Sequence, residues 1–387
     1  MPCETPILSQ IGDVVVCMRS DSRFVHAEFA HLYPMAPSCN RPADNIIQME
    51  VKKAGRSRLG RRLYRVFGDG EEIGGLLRRA EVFPFLEWGI NLRVIERHSQ
   101  FVQLHAASMV RNGHGCIFAG ASGCGKSTLS AALLARGWGY LSDEFALIDP
   151  RTLHLHPFPK ALCIKAGSFH AIGRLGLRFA QQRHHIKGVK GRVGYINPAS
   201  LGPNATAGVA PVRFVIFPKY EEGAVPKLES ISPGRALLEL AGCVFNRPTF
   251  AGDSMEVLAK TVRQSECFRL TTGELESTCS LLENHLSLPA QDAAAKTARM
   301  TPSVASPRQP QRFGGSTLFN RREALRLGAK LAYVAPAVVT FSAQQAFAAG
   351  SNPSDVCSTG VATGGLCETD TDCCSRRCNL GVCASNQ

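Results

Sequence analysis

Apolar and polar positions change rhythm several times along the 387 residues, and each change predicts an element. Residues 13–18, 115–119, 139–142, 145–149 and 212–217 are short apolar runs of strand type, bounded by Gly, Pro or charged residues. Residues 72–88 carry apolar side chains at helix-like spacing, interrupted at Pro84, whose ring removes a backbone donor. Residues 129–135 (Leu-Ser-Ala-Ala-Leu-Leu-Ala) predict a helix. A second helix starts at 235–240 behind Ser232-Pro-Gly, and a strand at 267–270 enters a closing helix through Gly273. The pattern predicts a strand-rich α+β subdomain over residues 1–100. Over residues 101–287 it predicts an α/β domain: strand, loop, helix, several short strands and a final helix.

Beyond residue 287 the pattern dissolves. Residues 288–319 are rich in Ala, Pro, Ser, Gln and Gly and poor in large apolar residues, the composition of a disordered linker. Residues 320–348 begin with Asn320-Arg-Arg, continue in an apolar run and close on Ala346-Phe-Ala348, the three parts of a secretory signal. Arg321-Arg322 hints at twin-arginine export. Pro336 and several small polar residues make the run a poor membrane span, and an amphipathic helix on the core is the other reading. Residues 320–348 would engage the export machinery, and a cut near Ala348 would release residues 349–387.

That tail changes the picture of the cysteines. Of 15 in the chain, six crowd into its end as C-x9-C-x5-C-C-x3-C-x4-C: Cys357, Cys367, Cys373, Cys374, Cys378 and Cys383. So short a segment cannot bury a core and would depend on disulfides. Zinc is the competitor, but no His lies nearby and no C-x-x-C occurs. Spacing alone does not choose the pairing. The nine others are scattered through the first 280 residues, as suits small core residues in a reducing cytoplasm. The hydrophobic content of 44% is ample for a core, and the net charge of +13 suits polyanions. Nucleic acid is not favoured, because the basic residues are dispersed and none of the usual binding signatures appears.

The chemistry concentrates at Gly120, Ala121, Ser122, Gly123, Cys124, Gly125, Lys126, Ser127 and Thr128, a complete G-x-x-x-x-G-K-[ST] loop between a predicted strand and a predicted helix. Such a loop points backbone N–H groups at a polyphosphate, and the helix N-terminus adds partial positive charge. Lys126 would reach the β- and γ-phosphates of ATP, and Ser127 would ligate Mg²⁺. Asp143 and Glu144 follow Lys126 closely, at a strand end. One would bind Mg²⁺ and one would take the proton of an attacking hydroxyl. His105 lies fifteen residues before Gly120, at the expected end of a strand. A solvated turn for the carboxylates and an interior histidine are the plain alternatives. Transporter-type ATPases place their Asp-Glu pair much farther on, and the N-K-x-D element of GTPases is missing.

His105-Ala, the loop through Thr128, and Gly137-Trp-Gly-Tyr-Leu-Ser-Asp-Glu144 together resemble the HPr kinase/phosphorylase superfamily, and more closely its relatives found with peptide-modification genes. Thinner similarity runs from Glu87 to Leu270, about half the chain. The resemblance implies a P-loop kinase core of the HPr kinase/phosphoenolpyruvate carboxykinase type. It makes Asp143 the base and a Mg²⁺ ligand, puts His105 beside the transferring phosphoryl group, and sets Glu144, a further catalytic candidate, where the bifunctional enzymes carry another Asp. Thr128 stands where the bifunctional enzymes usually carry an acidic residue, and their downstream glycine-rich signature is not recognisable. The resemblance therefore does not extend to phosphorolysis or to HPr as substrate. The tail resembles inhibitor cystine knots (knottins), which implies pairing first to fourth, second to fifth and third to sixth.

Three functions stay open on this reading. The first is an ATP- and Mg²⁺-dependent serine kinase of a small protein or precursor peptide, cytoplasmic, with homo-oligomers as the resemblance implies. Ser358, Ser375 and Ser385 of the tail are candidate acceptors. The second is a nucleotide-binding regulatory module without phosphotransfer. The third is a fusion whose product is a secreted knottin-like peptide.

Overall fold

The structure is a computed structural model that describes residues 5–33, 46–180, 185–248, 250 and 252–286, with the short strands at 378–379 and 382–383. Contacts divide the chain into two units, Met1–Ser287 and Leu288–Gln387. The first unit is mixed α/β with several sheets.

It begins with β1 (Ile7–Ile11), β2 (Val14–Ser20), α1 (Arg23–Leu32), β3 (Ile46–Arg56), β4 (Arg62–Gly68), β5 (Glu71–Arg78) and α2 (Arg79–Arg97). The five strands lie in chain order in one sheet. α1 crosses between β2 and β3, the one parallel pair. β4 and β5 form a hairpin through Asp69 (φ 50°) and Gly70 (φ 86°), the left-handed pair that a two-residue turn of this hand requires.

The expected helix over residues 72–88 is therefore corrected. Its first part is β5, because Gly74 and Gly75 weaken a helix there and Gly74 adopts φ 87° against the Phe85 ring, where a Cβ would come within 2.3 Å. Its second part continues straight through Pro84 as α2. Val82, Phe83, Leu86, Ile90 and Val94 bury one face, and that burial outweighs the hydrogen bond the proline removes. This layer does not close its own core. Phe145, Leu147, Phe158, Val193 and Tyr195 from later in the chain complete it.

The second half runs β6 (Val102–Arg111), β7 (His114–Ala119), α3 (Lys126–Ala135), β8 (Gly139–Ser142), β9 (Phe145–Ile148), β10 (His154–His156), β11 (Leu162–Lys165), α4 (Phe169–Arg174), β12 (His185–Ile186) and β13 (Arg192–Ile196). It continues through β14 (Ala210–Tyr220), β15 (Lys227–Ser230), α5 (Pro233–Ala241), α6 (Ser254–Gln264), β16 (Glu266–Thr272) and α7 (Leu275–Leu286). The large sheet is ordered β10-β9-β6-β7-β14-β16-β15, with β8 also on β6 and β10 also on β14. β7, β14 and β16 are parallel, so the loops that follow them share one edge, where open α/β sheets bind ligands. β11, β13 and β12 make a small separate sheet.

Among the described residues of this unit seven cysteines are free, and Cys17, Cys116, Cys267 and Cys279 are buried core residues. Among the described residues no helix is long and apolar enough to cross a membrane. In the second unit, β17 (Cys378–Asn379) pairs antiparallel with β18 (Val382–Cys383). The expected linker, the signal-like segment and the cystine pairing lie outside the described residues.

Candidate functional site

β6 is the strand that assembles the site. On one edge its residues 106–111 pair with β7, ending at Ala106 opposite Ala119, where the chain leaves for the glycine-rich loop. On the other edge His105 pairs with Phe145 and Ser108 with Ser142. Asp143 and Glu144 thus bulge out opposite the same stretch of β6, about two strand spacings (~10 Å) from the loop's root. The Ser142 hydroxyl accepts from the amides of Glu144 (3.2 Å) and Phe145 (3.1 Å), and the Ser108 hydroxyl donates to Phe145 O at 3.0 Å, which fixes the bulge. His105 lies within β6 rather than at its end, because the turn after β6 comes later, at Asn112-Gly113.

Gly123 (φ 95°) and Gly125 (φ 96°) curl the loop in a backbone conformation that L side chains seldom adopt. Gly125 is the N-cap of α3, whose first residue is Lys126. The Lys126 ammonium folds back on the loop, donating to Gly120 O at 2.6 Å and Ala121 O at 3.0 Å. The Thr128 and Ser168 hydroxyls lie 2.7 Å apart. One cleft is lined by Ser122, Lys126, Ser127, Asp143, Glu144 and His105, so the structure brings the residues singled out from the sequence to one place. Gly123, Gly125 and Thr128 share it. The side chains of Ala121 and Cys124 are not part of its wall.

Asp143 is buried with both oxygens engaged. Oδ1 accepts from Tyr140 Oη at 3.0 Å and faces Lys160 Nζ at 3.3 Å, while Oδ2 accepts from Cys163 N at 3.3 Å. The buried Lys160 also pairs with Glu87, which is 1% exposed. Glu87 further accepts from Lys187 at 2.9 Å and Tyr195 at 3.0 Å. Burial works to raise the Glu87 carboxyl, but the ammonium groups of Lys160 and Lys187 overcome it and hold the group down at about 2. Against their own burial, Lys160 is pushed up by Asp143, Glu87 and Glu144, and Lys187 by Cys163 together with Glu87 and Glu144. Glu144 is likewise held below its ordinary value, because His105, Lys160 and Lys187 outweigh burial. Burial lowers the His105 pKa, with Lys126 and Lys190 adding to it and Glu144, 3.7 Å away, opposing.

Sequence reasoning missed Glu87, Lys160, Lys165, Lys187 and Lys190. For Glu87 a signal was present: it interrupts the apolar stripe of α2 between Phe83 and Ile90, where a lone charge needs a buried partner. Lys160 lies just before β11, Lys165 ends that strand, and Lys187 and Lys190 lie between β12 and β13, so only the tertiary fold brings them across from the loop. Four lysines, Lys126, Lys165, Lys187 and Lys190, line the cleft with two carboxylates, Asp143 and Glu144, a surplus of two positive charges. That surplus, the glycine-rich loop and the α3 N-terminus fit a magnesium–triphosphate. Among the described residues no cluster of three or more His, Cys, Asp or Glu is set to hold a metal. Magnesium would therefore be held by Ser127, one carboxylate, water and the phosphates themselves.

No protein-family model matches the chain, and no curated protein matches it. Among solved structures it is similar to the Hpr(Ser) kinase/phosphatase from Coxiella burnetii, at 14% identity and a TM-score of 0.27, over 51% of this chain and 96% of that one. A likeness so slight carries no weight for the activity. The functional reading stands on the cleft.

Proposed function

We propose that this protein is an ATP- and Mg²⁺-dependent kinase that phosphorylates a serine or threonine hydroxyl of a small protein or precursor peptide. The observation that carries this reading is the shared cleft of Lys126, Ser127, Asp143 and Glu144, with the carboxylate pair across β6 from the glycine-rich loop. In this reading the loop amides and Lys126 hold the phosphates, and Ser127 ligates the metal. The free lone pair of Asp143 Oδ2 receives the proton of the attacking hydroxyl. His105 and Glu144 order the transferring group. Phosphoryl transfer asks a protein mainly for positioning and charge stabilisation, and the surplus of ammonium groups supplies the second.

One observation favours a nucleotide-binding module without transfer. Asp143 is already engaged by Lys160, Tyr140 and Cys163, which leaves its carboxylate less open to an attacking hydroxyl. Asp143→Asn separates the two. In a kinase, turnover falls about 10²- to 10⁴-fold while ATP affinity holds. In a binding module, only affinity changes. Labelled ATP with mass mapping of the products tests the reading as a whole, and labelling that survives Lys126→Ala defeats it.

A further inference from the structure

The β3–β4 hairpin carries a feature that the cleft does not use. Residues 52–65 hold seven lysines and arginines and no carboxylate. At the base, Lys52 pairs with Glu50 and Arg65 with Glu72. Toward the tip, Arg56, Arg58, Arg61 and Arg62 are exposed, and none meets a carboxylate among the described residues. Leu59 stands at the extremity, 82% exposed, and Leu76 on the neighbouring β5 is 54% exposed.

The turn is fixed rather than loose. Ser57 N donates to Arg61 O and Gly60 N to Ser57 O, both at 2.8 Å, and the Arg56 guanidinium donates to Gly60 O at 2.8 Å. A bonded turn therefore holds a leucine outward inside a collar of four guanidinium groups.

We propose that this hairpin tip is a peripheral anchor for an anionic phospholipid surface. Leu59 enters the boundary between headgroups and acyl chains, and the arginines bind the lipid phosphates. Charge and shape together select this occupant. The four unpaired cations call for a polyanion. The apolar extremity gains nothing from a nucleic-acid backbone, and the tip has no aromatic side chain to stack on bases. A flat lipid surface needs no groove to receive it. The inference does not depend on the phosphoryl-transfer reading.

The test is co-sedimentation of the full chain with phosphatidylcholine vesicles, with and without about 30% phosphatidylglycerol, at low and high salt. The expected result is binding to the anionic vesicles alone, released by salt. Arg58→Ser with Arg61→Ser should lower partitioning about 25-fold, at about fivefold per cation. Leu59→Ser should lower it about tenfold, with the thermal midpoint of both variants unchanged. If the double variant does not fold, Leu59→Ala gives the same reading from the apolar side. Equal binding to neutral and anionic vesicles, no binding to either, or variants that sediment like the parent would overturn the proposal. So would tighter retention on duplex DNA lost in the same variants, which would reassign the hairpin to nucleic acid.

Discussion

Lys160 joins two carboxylates from distant parts of the chain, Glu87 on α2 and Asp143 at the cleft, and at the residue scale this pairing has the largest consequences. Removing one partner of a buried ion pair strands the other charge, so Glu87→Gln or Lys160→Met should cost about 3–5 kcal/mol in denaturant titration. The pH dependence follows from the signs. The Glu87 carboxyl is held at about 2 in the folded state, below its unfolded value of about 4.3. Its contribution is complete above pH ~4.3 and is lost as pH falls toward 2. Lys160 and Lys187 are raised, so their contribution is complete below pH ~10.4 and fades at higher pH. Thermal midpoints should fall on the acid side, with a first decline below pH ~6.5 because the His105 pKa is lowered in the folded state, and a steeper one below pH ~4.3. Glu87→Gln should shrink that acid limb without abolishing it, because Glu144 is also held down. An acid limb identical to the parent's would show that the cluster does not govern it.

At the scale of elements, the loop between β7 and α3 depends on two glycines in left-handed geometry. Gly125→Ala should cost about 1–2 kcal/mol of stability through strain alone and weaken ATP binding besides, as titration of the variant would show. This element was legible in the sequence, because glycine spacing, the preceding apolar strand and the following helix all point the same way. The stretch 72–88 was misread. Its apolar spacing fits a helix over two turns, and only the glycine pair and the Asp69-Gly70 turn mark where the strand ends and α2 begins. α6 was overlooked although Asp253 caps it, accepting from the amides of Met255 and Glu256. The strand after the loop was read correctly, but the bulge that turns Asp143 and Glu144 toward the cleft comes from pairing with β6. Local sequence does not encode such pairing.

At the scale of the whole molecule, the candidate site is assembled from the loop, β6, the β8–β9 link, β11 and the segment before β13, with Glu87 reaching in from α2. The lysines of the cleft could not be found by local pattern, since what unites them is a tertiary wall. The same contacts make residues 1–100 part of one core with β9 and β13. Cutting the chain near residue 100 should therefore leave neither piece folded, whereas residues 1–287 should melt in one transition, shifted upward by Mg²⁺ and ATP. Calorimetry of the two truncations checks both statements. The most direct test is a crystal structure of the complex with Mg²⁺ and a non-hydrolysable ATP analogue. The account predicts the terminal phosphate within hydrogen-bonding reach of Lys126 Nζ, the metal on Ser127, and Asp143 Oδ2 on the open side of that phosphate. A nucleotide bound away from the glycine-rich loop, or Asp143 screened from the phosphate by the Lys160 pair, would contradict it.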